Sequence, residues 1–145
     1  MTADAELAAL YQRDLRDLAA QVRNDKRLVP ADVSITRTSR TCGSSVTLDI
    51  RCDKHRILEL GWRTRACTLG MASTAIVVRS VPGQCFAEVA QAADTLRRLL
   101  GGDDVSFPRQ WEDLAKFTAA RGFPGRHNSI MLPFEALAEA SNGSR

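Results

Sequence analysis

The sequence lacks any apolar run of the ~18 residues that a membrane helix requires, which excludes a helical span as its organising element. It also lacks a block of basic residues. "RDLRD" and "RNDKR" mix both signs, and 20 basic against 17 acidic residues leave a formal charge of only +3. Such stretches read as solvated faces rather than a footprint for nucleic acid. The four cysteines include no C-x-x-C pair, so spacing alone offers no zinc ribbon. With two histidines, no Gly-rich phosphate loop and no paired carboxylates in a plausible cleft, neither a hydrolase nor a nucleotide-binding enzyme has a foothold. The opening "MTADAELAAL" carries acids where a signal peptide carries bases, so a cytoplasmic location is expected. In that reducing compartment the cysteines do not imply a disulfide framework.

What is present is an ordinary globular composition, 44% hydrophobic and 26% charged. Its 145 residues suffice for one domain, taken as 1–145, with one core. Leu7, Tyr11, Leu15, Leu18 and Val22 recur at helical spacing, and "NDKRLVP" breaks the pattern. Val33 and Ile35, then Val46, Leu48, Ile50 and Cys52, then Leu58, Leu60 and Trp62, alternate with polar neighbours. These three runs predict an antiparallel meander with one buried face. "LGMASTAIVV" reads as a helix buried on the sheet. Phe86, Val89, Ala93, Leu96 and Leu100 form an amphipathic stripe stopped by Gly101 and Gly102. Trp111, Leu114 and Phe117 predict a further helix, and Ile130, Phe134 and Leu137 the last, with "SNGSR" frayed. One helix, three strands and four helices argue for an α+β fold, helices packed on one face of the sheet.

The cysteines sort by position. Cys52 shares parity with Val46, Leu48 and Ile50 and is expected to fill the core. Ten residues of extended chain would hold Cys42 and Cys52 roughly 30 Å apart, so they do not share a site. Cys85, in "PGQCFAEV", opens a helix; it is either a thiol favoured by backbone amides or, as the expectation here, a small residue near a cap. Cys42 precedes the second strand and Cys67 ends the third. In a meander the start of one strand lies beside the end of its hairpin partner, which allows these two to meet at one end of the sheet.

"TCGSSVTLDIR", "RACTLGMAST" and "FPGRHNSIMLPFEAL" resemble, in order and spacing, the three cysteine segments of the U-type iron–sulfur scaffold family, which includes IscU, SufU and the N-terminal domain of NifU. "LYQRDLRDL" resembles the family's first helix, and "DDVSFPRQWEDLAKFTAARGFP" resembles the insertion that marks the SufU branch. The resemblance implies that Cys42, Cys67 and position 129 converge on a metal or cluster site, with an assisting acid at position 44. It further implies an α+β fold and a role as scaffold or sulfur acceptor, receiving sulfur from a cysteine desulfurase and holding iron, zinc or a transient cluster. The resemblance thus points toward a scaffold or sulfur acceptor rather than a turnover enzyme. Cys67 is then the candidate persulfide acceptor.

The chain departs from the family pattern at two of these places. Ser44 stands where the family has Asp, and Ser129 where it has the third Cys. Asn128 takes a position that is often His or Lys, Pro133 falls where the family has an ordinary helix former, and "LAAQVRNDKR" lacks the family's His and Pro. Two thiolates make a poor closed zinc site, since structural zinc takes four ligands. His127 is a substitute ligand only through a local shift, because its ring points about 200° around the helix from position 129. An exposed structural histidine is expected there, and a solvated one at His55. Two cluster ligands per chain suggest shared ligation with a partner or with a second copy, the latter case making a homo-oligomer. The contrasting reading is a degenerate, metal-free member that binds or regulates the cluster-assembly machinery. A third treats Cys42 and Cys67 as a redox pair, which requires Cα atoms within about 7 Å.

Overall fold

In a computed structural model that describes residues 3–40 and 43–143, helix α1 (Ala3–Ala20) leads into strands β1 (Val33–Thr38), β2 (Ser45–Asp53) and β3 (Arg56–Arg65). Helices α2 (Thr68–Ser80) and α3 (Phe86–Leu100) follow, then a 3-10 segment (Arg109–Ala120), a 3-10 turn (Pro124–Arg126) and α4 (His127–Gly143). The strands form an antiparallel sheet in the order β1-β2-β3. The fold is thus the α+β meander with helices that periodicity predicts. Helix α4 packs on β1 and β2, α2 packs on β3, and α1 lies against α2. Among the described residues, no helix is long and apolar enough to cross a membrane. The side chains of Leu7 and Tyr11 lie outside those described, but Leu15, Leu18 and Val22 are buried as their spacing requires.

Val46, Leu48 and Ile50 point from β2 into the core, opposite Thr64, Trp62 and Leu60 of β3. A register shift between Arg51 and Cys52 then breaks the alternation. An extra residue on one strand re-aims everything beyond it. Two expectations change as a result. Ile57, not Leu58, is the fully buried residue at the start of β3, and Leu58 is 53% exposed. Cys52 is only half-buried, packed at the margin of the core, with its amide donating to Asp32 Oδ2 at 2.8 Å. Burial, aided by Asp32 and Asp53, pushes its thiol up, away from reactivity.

The second face of the sheet is covered at its centre rather than open. Lys26 and Trp62 exchange backbone hydrogen bonds of 3.0 and 2.7 Å, which lays the segment after α1 along the edge of β3. That segment crosses over Gly61, where a Cβ would lie 2.6 Å from Lys26 O and 2.7 Å from Leu28 N. Asp49, the cross-strand partner of Gly61, is 1% exposed beneath it. Its carboxylate accepts from Arg27 Nε at 2.7 Å, Leu28 N at 3.0 Å and Ser34 Oγ at 2.7 Å. Arg27 foremost, with Ser34 and Leu28 N assisting against burial, holds its pKa down to about 2.

The segment around Trp111 is a 3-10 helix rather than an α-helix. Its buried residues are Trp111, Leu114, Phe117 and Ala120, at intervals of three throughout. A 3-10 helix has 3.0 residues per turn, so this spacing stacks one straight apolar stripe, whereas an α-helix would spread it around the axis. Helix α4 runs unbroken through Pro133 and includes Ser141 and Asn142, which the tail reading left frayed.

Candidate functional site

The site forms where three segments meet at one end of the sheet. The loop before β2 brings Ser44, the β3–α2 junction brings Cys67, and the first turn of α4 brings Ser129. Ser45 pairs with Arg65, so the start of β2 and the end of β3 share that end. Ahead of β2, Ser39 N donates to Ser44 O at 2.7 Å and Gly43 adopts φ +71°. Cys42 lies outside the described residues, so its expected meeting with Cys67 carries no measured geometry.

Cys67 takes an extended conformation immediately ahead of α2, and its carbonyl accepts the Met71 amide at 2.9 Å. Its half-buried thiol lies 3.5 Å from Ser129 Oγ, and Ser129 Oγ donates to Ser44 Oγ at 3.2 Å. Both hydroxyls are buried, Ser129 to 1% exposure and Ser44 to 5%. Burial alone pushes the Cys67 thiol up. The Ser129 hydroxyl, the Gly70 and Leu69 amides and the Arg126 charge together outweigh it, so the thiol titrates below its ordinary value.

Gly70 makes the meeting of α2 and α4 sterically feasible. A Cβ there would stand 2.2 Å from Ser129 Oγ and 2.9 Å from Ala66 Cβ. Ser73 Oγ, one turn along α2, donates to Ile130 O at 2.6 Å and fixes the same crossing. Pro133 has no N–H to offer the Ser129 carbonyl four residues earlier, so that helical bond is missing, while Ser73 Oγ of α2 bonds the next carbonyl, Ile130 O. Sequence reasoning missed Gly70 and Arg126; a glycine three residues beyond a candidate cysteine was the available signal.

The other candidates are placed elsewhere. His127 is half-buried rather than exposed, because its Nε2 lies 2.9 Å from the Ala120 carbonyl and ties α4 to the 3-10 segment. Ser129, not His127, is what α4 presents to Cys67. His55 is exposed in its turn. Cys85 caps α3, with its amide and thiol both directed at Glu88 Oε1, at 3.3 and 3.2 Å. It therefore serves as the small capping residue.

Residues 10–118 match the family described as NifU-like N terminal domain. The chain belongs to that family. The matched span contains Ser44 and Cys67, while Ser129 lies beyond it. The chain is 24% identical over 100 residues to the iron–sulfur cluster assembly scaffold protein IscU of Streptococcus pyogenes serotype M1. That similarity covers 69% of this chain and spans 63% of the relative's length. Among solved structures, an N-terminal NifU-like protein from Brucella abortus superposes with a TM-score of 0.80 at 28% identity, covering 89% of this chain and 90% of that one. A putative iron–sulfur cluster assembly scaffold protein for the SUF system from Fervidobacterium islandicum AW-1 shares the fold at a TM-score of 0.78 and 19% identity, over 88% and 93% of the two chains.

The donors among the described residues do not by themselves fit a resident zinc ion. Among the described residues no three His, Cys, Asp or Glu side chains gather where a metal ion would be held. Two buried hydroxyls beside one thiol lack the anionic or imidazole donors that a tetrahedral zinc centre takes. What the arrangement does supply is a thiol at a helix N-terminus with hydrogen-bond donors for its deprotonated form.

Proposed function

We propose that this protein serves iron–sulfur cluster assembly as a sulfur acceptor, with Cys67 as the receiving thiol and a cysteine desulfurase as the donor. The observation that carries the reading is the hydroxyl of Ser129 set against Cys67 Sγ where the family pattern has a third cysteine. Membership in a family whose relatives include an assembly scaffold supplies the context.

The neutral thiol donates toward Ser129. Once it is deprotonated, the Ser129 hydroxyl turns to donate to the sulfur, and the Leu69 and Gly70 amides and Arg126 add to its stabilisation. The thiolate attacks the outer sulfur of the donor's persulfide. A sulfur–sulfur bond forms on Cys67, the donor's sulfur–sulfur bond breaks, and the donor leaves as its thiolate, so no outside oxidant is needed. Cys42 is the second thiol of this reading. Iron or a cluster is then cargo, held by Cys42 and Cys67 with its remaining ligands from a partner or a second copy.

The test is sulfur transfer from a cysteine desulfurase working on free cysteine, followed by peptide mass mapping. The reading expects one added sulfur on Cys67, none on Cys52 or Cys85, and loss of transfer in Cys67→Ala. Two hydroxyls in place of two stronger donors favour a second reading, a metal-free member that binds the assembly machinery without accepting sulfur. Tight desulfurase binding with no sulfur on Cys67 and no metal by elemental analysis would establish it instead.

A further inference from the structure

Beside Cys67, the N-terminal end of α2, the middle of α1 and the end of the 3-10 segment enclose an open groove of about 340 Å³. Leu15, Leu69, Ala120 and Phe123 give it an apolar floor, and Arg16 and Arg126 line it with positive charge. Phe123 is 58% exposed, one of the few large apolar side chains left in solvent among the described residues. Among the described residues, no carboxylate lines the groove and neither arginine makes an ion pair. Thr68 and Leu69, which immediately follow Cys67, form part of its wall, so an occupant reaches the thiol end of the site. A volume of this size holds one large side chain and its flanks.

We infer that this groove receives a peptide segment of the sulfur-donating protein in which an apolar side chain is flanked by carboxylates, setting the donor's sulfur against Cys67. The inference rests on the sulfur-acceptor reading above. Charge complementarity decides the occupant. An apolar side chain on Phe123 and Leu69 removes surface from water, and carboxylates find two unpaired guanidiniums whose planar forks suit them. A basic segment would meet only repulsion, and a fully apolar one would leave both arginines without a partner.

Short peptides with a cysteine activated as a mixed disulfide provide the probe. One carries a leucine and two glutamates next to the cysteine, a second has lysines in place of the glutamates, and neutral 2-hydroxyethyl disulfide serves as reference. The readout is the rate of disulfide exchange onto Cys67, assigned by mass mapping and expressed as the ratio of acidic to basic peptide within each variant. That ratio cancels any change in thiolate fraction. Wild type should favour the acidic peptide by about tenfold at low ionic strength, with the preference falling as salt is added. Arg16→Gln with Arg126→Gln should bring the ratio near one, and Phe123→Ser should slow the leucine peptides relative to the neutral reference.

Equal rates for the two peptides, or a preference that survives the double arginine change, would overturn the groove assignment while leaving Cys67 an acceptor. A Cys67 inert even to the neutral disulfide would overturn the acceptor reading and this one with it. Self-association of the chain abolished by Phe123→Ser, without any peptide preference, would assign the groove to a second copy and overturn the proposal.

Discussion

Ser129 Oγ stands between two partners from distant parts of the chain, Cys67 Sγ at 3.5 Å and Ser44 Oγ at 3.2 Å. A single buried hydroxyl thereby links the β3–α2 junction to the loop ahead of β2. Ser129→Ala deletes the donor to the deprotonated sulfur but leaves the helix amides and Arg126. A hydrogen bond to a charged group favours the charged form, so losing it should raise the thiol pKa. The check is the pH dependence of alkylation at Cys67. The midpoint should move to higher pH, and the rate in the fully deprotonated plateau should not fall. An unchanged midpoint would mean that the hydroxyl does not support the thiolate.

Gly70 stands where the site and the fold make the same demand. Ala at this position would drive a methyl group to 2.2 Å from Ser129 Oγ and 2.9 Å from Ala66 Cβ. Gly70→Ala should therefore cost about 1–3 kcal/mol in urea unfolding, despite the better helix propensity of alanine. Ser129→Ala in the same chain removes one of the two clashes. The double variant should be less destabilised than the sum of the singles, with the coupling read from a double-mutant cycle. Simple additivity would contradict the close approach of α2 and α4.

Much of this arrangement could be read from residue order. Period-two alternation located all three strands, and the placing of Cys67 between a strand and a small-residue helix put its thiol at a helix start. Ser44 and Ser129 were placed only through resemblance to a known motif, since no periodicity brings residues 85 positions apart together. Leu58 and Cys52 departed from expectation because a bulge is a one-residue event that leaves composition untouched. The three-residue spacing of Trp111, Leu114 and Phe117 reads as part of a helical stripe, because only its continuation to Ala120 without a four-residue step marks the 3-10 segment. Asp49 was invisible for a different reason. A lone acid on a strand's polar side reads as solvent-facing until the segment from Lys26 to Leu28 is laid across it.

Asp49 ties acid stability to that covering segment. Its folded pKa of about 2 lies below an unfolded value of 3.8. A carboxylate depressed on folding stabilises the native state above its unfolded pKa and loses that contribution as pH falls through the folded one. The shift corresponds to about 2 kcal/mol, present at neutral pH and lost between about pH 4 and pH 2. Asp49→Asn should lower stability at pH 7, where Arg27 and the Leu28 amide lose their charged acceptor. It should also flatten the decline below pH 4 relative to wild type. Urea midpoints at pH 7, 4 and 2.5 for both proteins provide the check, and parallel curves would show that Asp49 titrates normally.

The departures at positions 44 and 129 suggest a reversal experiment. Ser44 and Ser129 are already within hydrogen-bond reach of one another, and Ser129 reaches Cys67, so no backbone rearrangement is needed to bring new donors together. Ser129→Cys with Ser44→Asp replaces two neutral hydroxyls by a thiolate and a carboxylate, both ordinary zinc ligands. With Cys42 and Cys67 the chain would then hold four. Zinc affinity, measured by competition against a chromogenic chelator, should rise by more than a hundredfold, since each added anionic donor contributes on the order of a tenfold gain or more. The gain should vanish when Cys67→Ala is added. Bound zinc should also raise the unfolding midpoint of the double variant and leave wild type unmoved, because an ion that binds only the folded state stabilises it in proportion to its affinity. A double variant with no more zinc affinity than wild type would separate the Ser44 loop and α4 from any shared coordination centre.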